Sequence, residues 1–232
     1  MLLEKYRDYL SFHNLKPKRV VNALQYLLWG KRSARLRHYP LFYMLETGNV
    51  CRLRCPFCVQ GNYDSQVNSS KRLMGYDDFL VILRKIQDYA LVLDLFKHGE
   101  PFLNPEIVRM TAAASAAGLR CRISSALNFT LTDEMAREIC RSGLYKLTCA
   151  IDGVTQRAYE KYRVNGDLRL ALDNAARIIR ARNAARRRRP IIIFRMLVFE
   201  WNHEQVEAAR QLAVEMGFDG FAADPGVFVA GD

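Results

Sequence analysis

The sequence predicts an α/β fold: a partial, TIM-like (β/α)6 barrel of parallel strands, preceded by an N-terminal helical extension. Three observations carry this expectation. From Leu41 onward, short apolar runs alternate with segments of helical periodicity. Strict alternation implies parallel strands joined by right-handed crossovers. The residues suited to chemistry fall just after the apolar runs, where a parallel sheet presents its functional groups. Six runs are fewer than the eight of a closed barrel, so the barrel is expected to be open.

The elements follow in order. Leu41–Glu46 reads as a buried first strand. Tyr76–Tyr89 is helical, with Phe79, Leu80, Leu83 and Ile86 on one face. Leu91–Phe96 is the second strand. Pro105–Ala117 is a helix with Asn104 as its cap and Gly118 as its stop. Leu119–Ser124 is the third strand, and Thr132–Arg141 a helix capped by Thr132 and followed by Gly143. Leu144–Ile151 is the fourth strand. A helical region runs from Thr155 to Arg188, broken near Asn165-Gly166. Ile191–Val198 is the fifth strand, His203–Met216 a helix ended by Gly217, and Phe218–Ala223 the sixth strand. Residues 1–37 form the helical extension and 38–232 the core domain. Residues 1–40 read as two helices, the second, Arg19–Trp29, amphipathic and basic, suited to packing on the barrel or to a membrane surface. The chain stops at Asp232 directly after the sixth strand, which fits either a fragment or an edge covered by a partner.

The chain has 232 residues, 50% of them hydrophobic, enough for one sizeable core. No run approaches the ~18 apolar residues that span a bilayer. The charged start, Met1 to Asp8, lacks the apolar stretch of a signal peptide, so a cytoplasmic protein is expected. In a reducing compartment, six cysteines point to a metal site rather than three disulfides. The net charge of +11 gathers near Lys16–Arg37 and in Arg186–Arg189. An acidic partner would explain it, but the four arginines also suit a helix C-terminus. No RNA-binding module accompanies the charge, so nucleic acid is not the expected partner.

Cys51, Cys55 and Cys58 lie within eight residues, while Cys121, Cys140 and Cys149 are scattered singly in apolar settings and read as inert thiols. Structural zinc takes four protein ligands, and an ordinary iron–sulfur cluster takes four cysteines. Three clustered thiolates can therefore hold a metal centre without completing it. A zinc site borrowing His98 or Cys149 is the competing reading, although the paired doublets usual for zinc are missing.

Cys51-x3-Cys55-x2-Cys58, with Phe57 before the last cysteine, resembles the radical S-adenosylmethionine (SAM) superfamily. His98-Gly99-Glu100-Pro101 is similar to that family's Gly-Glu-Pro segment. Ala150-Ile151-Asp152-Gly153, followed by Tyr159 to Arg163, resembles the branch that often carries a C-terminal SPASM domain. The resemblance covers roughly residues 38 to 223. It implies a 4Fe–4S cluster on Cys51, Cys55 and Cys58, with SAM on the open iron and a 5′-deoxyadenosyl radical as the product of its reductive cleavage. It further implies that Phe57 and Leu197 lie against the adenine and that Gly99 permits close backbone approach. Glu100 would accept from the SAM ammonium, Arg163 would pair with its carboxylate, and Ser124 and Asp152 would contribute to the same site. A reductant such as flavodoxin or ferredoxin, and a peptide or metabolite substrate, complete the implied set.

Two places depart from the family pattern: Ala150, where serine is frequent, and the third-strand motif, where asparagine is frequent and this chain has Ser124-Ser125-Ala126-Leu127-Asn128. Two other functions compete. One is a truncated iron–sulfur and SAM-binding module that lacks an auxiliary-cluster domain after residue 232. The other is RNA modification, prompted by the basic surface.

Overall fold

The computed structural model describes residues 16–29, 36–59 and 72–226. Its six strands form one sheet in the order β1 to β6: β1 (Phe42–Met44), β2 (Val92–Asp94), β3 (Arg120–Ser125), β4 (Lys146–Ala150), β5 (Ile191–Val198) and β6 (Gly220–Pro225). Every neighbouring pair is parallel. The helices are α1 (Pro17–Trp29), α2 (Tyr76–Ile86), α3 (Ile107–Ala116), α4 (Asp133–Arg141), α5 (Gln156–Tyr162), α6 (Leu168–Ala184) and α7 (Val206–Glu215). The expected alternation is therefore present from β1 onward.

Strand side chains alternate between two faces, and the two faces differ in chemistry. Cys121 and Ile123 of β3, Leu147 and Cys149 of β4, and Ile192, Phe194 and Met196 of β5 join one apolar core with Phe79, Met110, Ile139 and Ile178 of the helices. The alternate set, Arg122 and Ser124, Lys146 and Thr148, Arg195 and Asp224, lines a cavity on the other face. A one-residue slip would exchange these sets, so burying the apolar face fixes the register.

Local signals set the helix ends. The hydroxyls of Thr132 and Thr155 accept from the backbone N–H of Met135 and Ala158, and Asp167 caps Leu170 in the same way. Gly118, Gly143 and Gly217 adopt φ of 85°, 80° and 79°, the left-handed region in which a glycine ends a helix without strain. Asn104 accepts from Glu106 N–H and donates to the Thr47 and Met74 carbonyls, so it caps the turn ahead of α3 and ties it to the loop after β1.

Three expectations are corrected. The first strand is buried on one face only: Leu41, Tyr43 and Leu45 turn to the apolar interior, while Phe42 and Met44 are 37% and 54% exposed because β1 is an edge strand. The long helical region ends at Ala184 rather than Arg188, and Arg186 has a φ of 50°, so the arginine run lies beyond the helix. The second N-terminal helix starts at Pro17 and packs on the barrel through Ala23 and Tyr26, against Leu41, Leu91 and Val92, and through two buried polar side chains. Arg19, 1% exposed, donates to the carbonyls of Gln87, Ala117 and Gly118. Asn22 donates to the Tyr39 and Tyr89 carbonyls. Val21, Leu24 and Leu28 are left exposed. The first N-terminal helix falls outside the described residues.

Candidate active site

The C-terminal ends of the strands converge on a cavity of about 220 Å3. Cys51, Cys55, Cys58, Gly99, Glu100, Ser124, Arg163 and Leu197 all line it, with His98, Ser125, Ala126, Ala150, Tyr162 and Arg195. Eight of the ten residues singled out in the sequence thus share one wall. Phe57 and Asp152 do not.

The cysteine loop is held from two sides. Glu100 N–H donates to the Val50 carbonyl at 2.8 Å, and Arg54 N–H donates to Val164 at 3.0 Å. Gly99 is the point of closest approach: a Cβ there would lie 1.8 Å from the Gly48 carbonyl oxygen. The expected close contact exists, but it is made with the chain's own loop. Beneath the cysteines lies an apolar bed of Leu53, Ala126, Tyr162 and Phe199. Phe57 belongs to this bed, 6.0 Å from the Tyr162 ring and 6.2 Å from Phe199, rather than to the cavity wall. Trp201 stacks on Phe199 at 4.5 Å, so it extends the bed.

Glu100 is buried, and the chain engages both its carboxylate oxygens. Oε1 accepts from the Ser125 hydroxyl at 2.8 Å and Phe102 N–H at 3.3 Å; Oε2 accepts from Ala126 N–H at 3.0 Å. Burial pushes its pKa up, while Ser125 and the two N–H groups work against that shift. Ser125 is therefore the hydroxyl that orients this carboxylate, while Ser124 lines the cavity.

Asp152 is 0% exposed. Its Oδ2 accepts from Arg163 Nε at 2.6 Å and its Oδ1 from Leu197 N–H at 2.7 Å. It stands behind Arg163 as its positioning partner, outside the residues that line the cavity. Arg163 leaves helical geometry as α5 ends, and its Nη1 reaches Cys55 Sγ at 3.6 Å. The break at Asn165, with φ of 65°, and the tight packing of Gly166 against Arg163 make that excursion possible. Burial alone would lower the Arg163 pKa, but Asp152 and then Cys55 more than offset it, so the guanidinium stays charged.

Burial pushes the Cys51 thiol up to about 11 and raises Cys55, which Arg163 partly counters. All six cysteines are free thiols. Cys121, Cys140 and Cys149 are buried in the core, as their apolar settings predict.

Sequence reasoning missed two residues that shape the site. Glu46 accepts from His98 N–H at 2.7 Å and Gly99 N–H at 3.4 Å, joining the ends of β1 and β2. A carboxylate directly after an apolar run was its available signal. Asn202 donates to the Asp152 and Leu197 carbonyls and accepts from Phe199 N–H, and nothing in the sequence distinguishes it.

The sequence matches the family model described as the Radical SAM superfamily over residues 45–213. The chain belongs to the Radical SAM superfamily. Its matched span runs from the end of β1 into α7, so all the cavity's wall lies inside the radical SAM region. The structure is similar to Streptococcus suis SuiB bound to S-adenosylmethionine, with a TM-score of 0.67 at 14% identity, covering 83% of this chain and 42% of that one. It is also similar to anSMEcpe with bound AdoMet and the Cp18Cys peptide, at a TM-score of 0.59 and 10% identity, covering 79% of this chain and 50% of that one. At these identities the likeness concerns the fold. In sequence, it is 24% identical over 115 residues to the GTP 3′,8-cyclase of Rippkaea orientalis, covering 48% of this chain and 34% of the cyclase. The chain thus spans half or less of each of these relatives.

Radical SAM membership implies a 4Fe–4S cluster and SAM, and the residues present fit both. Three free thiols surround one cavity, with no fourth cysteine in its wall. Among the described residues no three His, Cys, Asp or Glu side chains converge closely enough for a single metal ion. Among them, too, no helix is long and apolar enough to cross a membrane.

Proposed function

We propose that Cys51, Cys55 and Cys58 hold a 4Fe–4S cluster and that SAM occupies the adjoining cavity against Gly99, Glu100, Ser124, Arg163 and Leu197. The observation that carries this reading is the shared wall: three free cysteines, the buried Glu100 carboxylate and the half-buried Arg163 guanidinium meet at the ends of consecutive parallel strands. When bound, the cluster supplies the electron that cleaves SAM to methionine and a 5′-deoxyadenosyl radical, which takes a hydrogen atom from the substrate.

The chain's own residues provide position. The Glu100 carboxylate, fixed by Ser125 and Ala126, offers its cavity edge to a cationic ammonium. Arg163, oriented by Asp152, presents the rest of its guanidinium to a carboxylate. Leu197, pinned by its own N–H, gives the adenine an apolar contact. The bed of Phe57, Tyr162, Phe199 and Trp201 excludes water from beneath the cysteines.

The segment from Ala150 to Arg163 supports the SPASM-associated branch. The relatives' names span a peptide-bound enzyme and a GTP cyclase, so they support the chemistry and leave the substrate to the barrel interior. The test is anaerobic reconstitution with iron and sulfide, reduction with dithionite, addition of SAM and chromatography. Cluster-dependent 5′-deoxyadenosine is expected. A loaded cluster without that product would reduce the chain to a binding module, and zinc in place of iron would overturn the assignment.

A further inference from the structure

We propose that the barrel interior below the cysteines anchors an anionic group of the substrate, a carboxylate or a phosphate, on Lys146 with the hydroxyls of Ser124 and Thr148. As a statement about substrate, this rests on the reading of the upper cavity just given.

A second cavity, of about 290 Å3, lies on the concave face of β3 to β6. Phe96, Ser124 and Arg195 line both cavities, so the two adjoin. The polar groups of the lower wall fall into two sets. Arg122 is committed: its Nε and Nη2 donate to the Asp94 carboxylate at 2.5 and 2.7 Å. Arg195 Nε donates to Asp224 at 2.7 Å. Lys146, Ser124 and Thr148 form the other set. Among the described residues, Lys146 has no ion pair and neither hydroxyl has a hydrogen-bond partner.

Register brings this second set together. Ser124 and Thr148 are direct cross-strand partners, and Lys146 precedes Thr148 by two residues on the same face. Lys146 also pairs directly with Arg122. Like charges opposite each other on one sheet face are unfavourable, and Asp94 offsets only one of the two. Arg122, Lys146 and Arg195 thus face this concave space against two carboxylates, Asp94 and Asp224, each already paired with an arginine, and the remaining ammonium beside two hydroxyls able to donate is what an anion would meet. An anion held there would direct the remainder of its molecule past Phe96 toward the cysteines.

The experiment is calorimetric titration of the reconstituted full chain, in buffer without phosphate, with pyrophosphate and separately with succinate. Saturable binding of one or both is expected, at least tenfold weaker in Lys146→Met and in Thr148→Val, and kept in Lys146→Arg and in the exposed-helix control Lys85→Met. Pyrophosphate binding would indicate a phosphorylated substrate, and succinate binding a carboxylate. No binding of either probe would overturn the proposal, as would equal affinity in Lys146→Met and Lys85→Met. Should Lys146→Met fail to fold, Thr148→Val carries the same comparison. Binding is read without turnover, so this result and the 5′-deoxyadenosine result can fail separately.

Discussion

Gly99 and Gly48 meet backbone to backbone at the mouth of the site. A Cβ on Gly99 would sit 1.8 Å from the Gly48 carbonyl oxygen and 3.3 Å from Val50 N. The loop that carries the cysteines is therefore seated on the loop that carries Glu100, and Glu100 N–H bonds to Val50 across the seam. One glycine sets the spacing between the thiols and the carboxylate.

Gly99→Ala should then act on both. The clash is with backbone, which cannot rotate aside, so the loss should reach or exceed about 3 kcal/mol, at the upper end of overpacking costs. Denaturant unfolding would measure it. Iron bound after reconstitution should fall in parallel; wild-type stability and iron content would remove Gly99 from this role.

Asp152→Asn should weaken SAM binding although Asp152 is fully buried behind Arg163. Removing one partner of a buried pair leaves an uncompensated charge, typically costing about 3–5 kcal/mol. A lower melting temperature together with a raised SAM Kd is expected. Lowered stability with unchanged SAM affinity would show that Arg163 does not face the ligand.

Cys55→Ala should abolish the iron–sulfur absorbance, while Cys121→Ala should keep it. Cys55 lines the cavity and lies against Arg163, whereas Cys121 is in the core with its Sγ near the Thr111 and Leu119 carbonyls. Equal loss in both variants would refute the ligand assignment.

Cys121 also gives stability an alkaline dependence. Burial pushes its pKa from the ordinary 9.0 up to about 12 in the fold. The folded value lies above the unfolded one, so its contribution is whole below pH about 9 and is lost as pH rises toward about 12. Within that window the unfolded chain gives up a proton that the folded chain keeps. The slope is at most about 1.4 kcal/mol per pH unit. Denaturant melts of wild type and Cys121→Ala between pH 8 and 11 should show a shallower decline in the variant; parallel declines would exclude the effect.

Arg19→Met should release α1. Its guanidinium satisfies carbonyls that end α2 and α3, where cations are favoured. Orphaning several buried acceptors costs about 1–3 kcal/mol each before relaxation. Limited proteolysis should cut rapidly between α1 and β1 in the variant, while the strand core stays intact.

The sequence by itself determined the strand–helix order, the glycine stops, the Thr132 cap, the buried setting of the three core cysteines and the thiol triad. These are local signals: a periodicity, a cap or a spacing is written within a few residues. Tertiary structure decided the rest. It put Asp152 behind Arg163, gave the Ser125 hydroxyl to Glu100, seated Phe57 in the apolar bed and left one face of β1 exposed at the sheet edge. It also brought Glu46 and Asn202 to the site and set Lys146 across from Arg122. Each of these depends on which atoms meet across strands and loops distant in sequence. Burial and register fix those partnerships, and no short pattern encodes them.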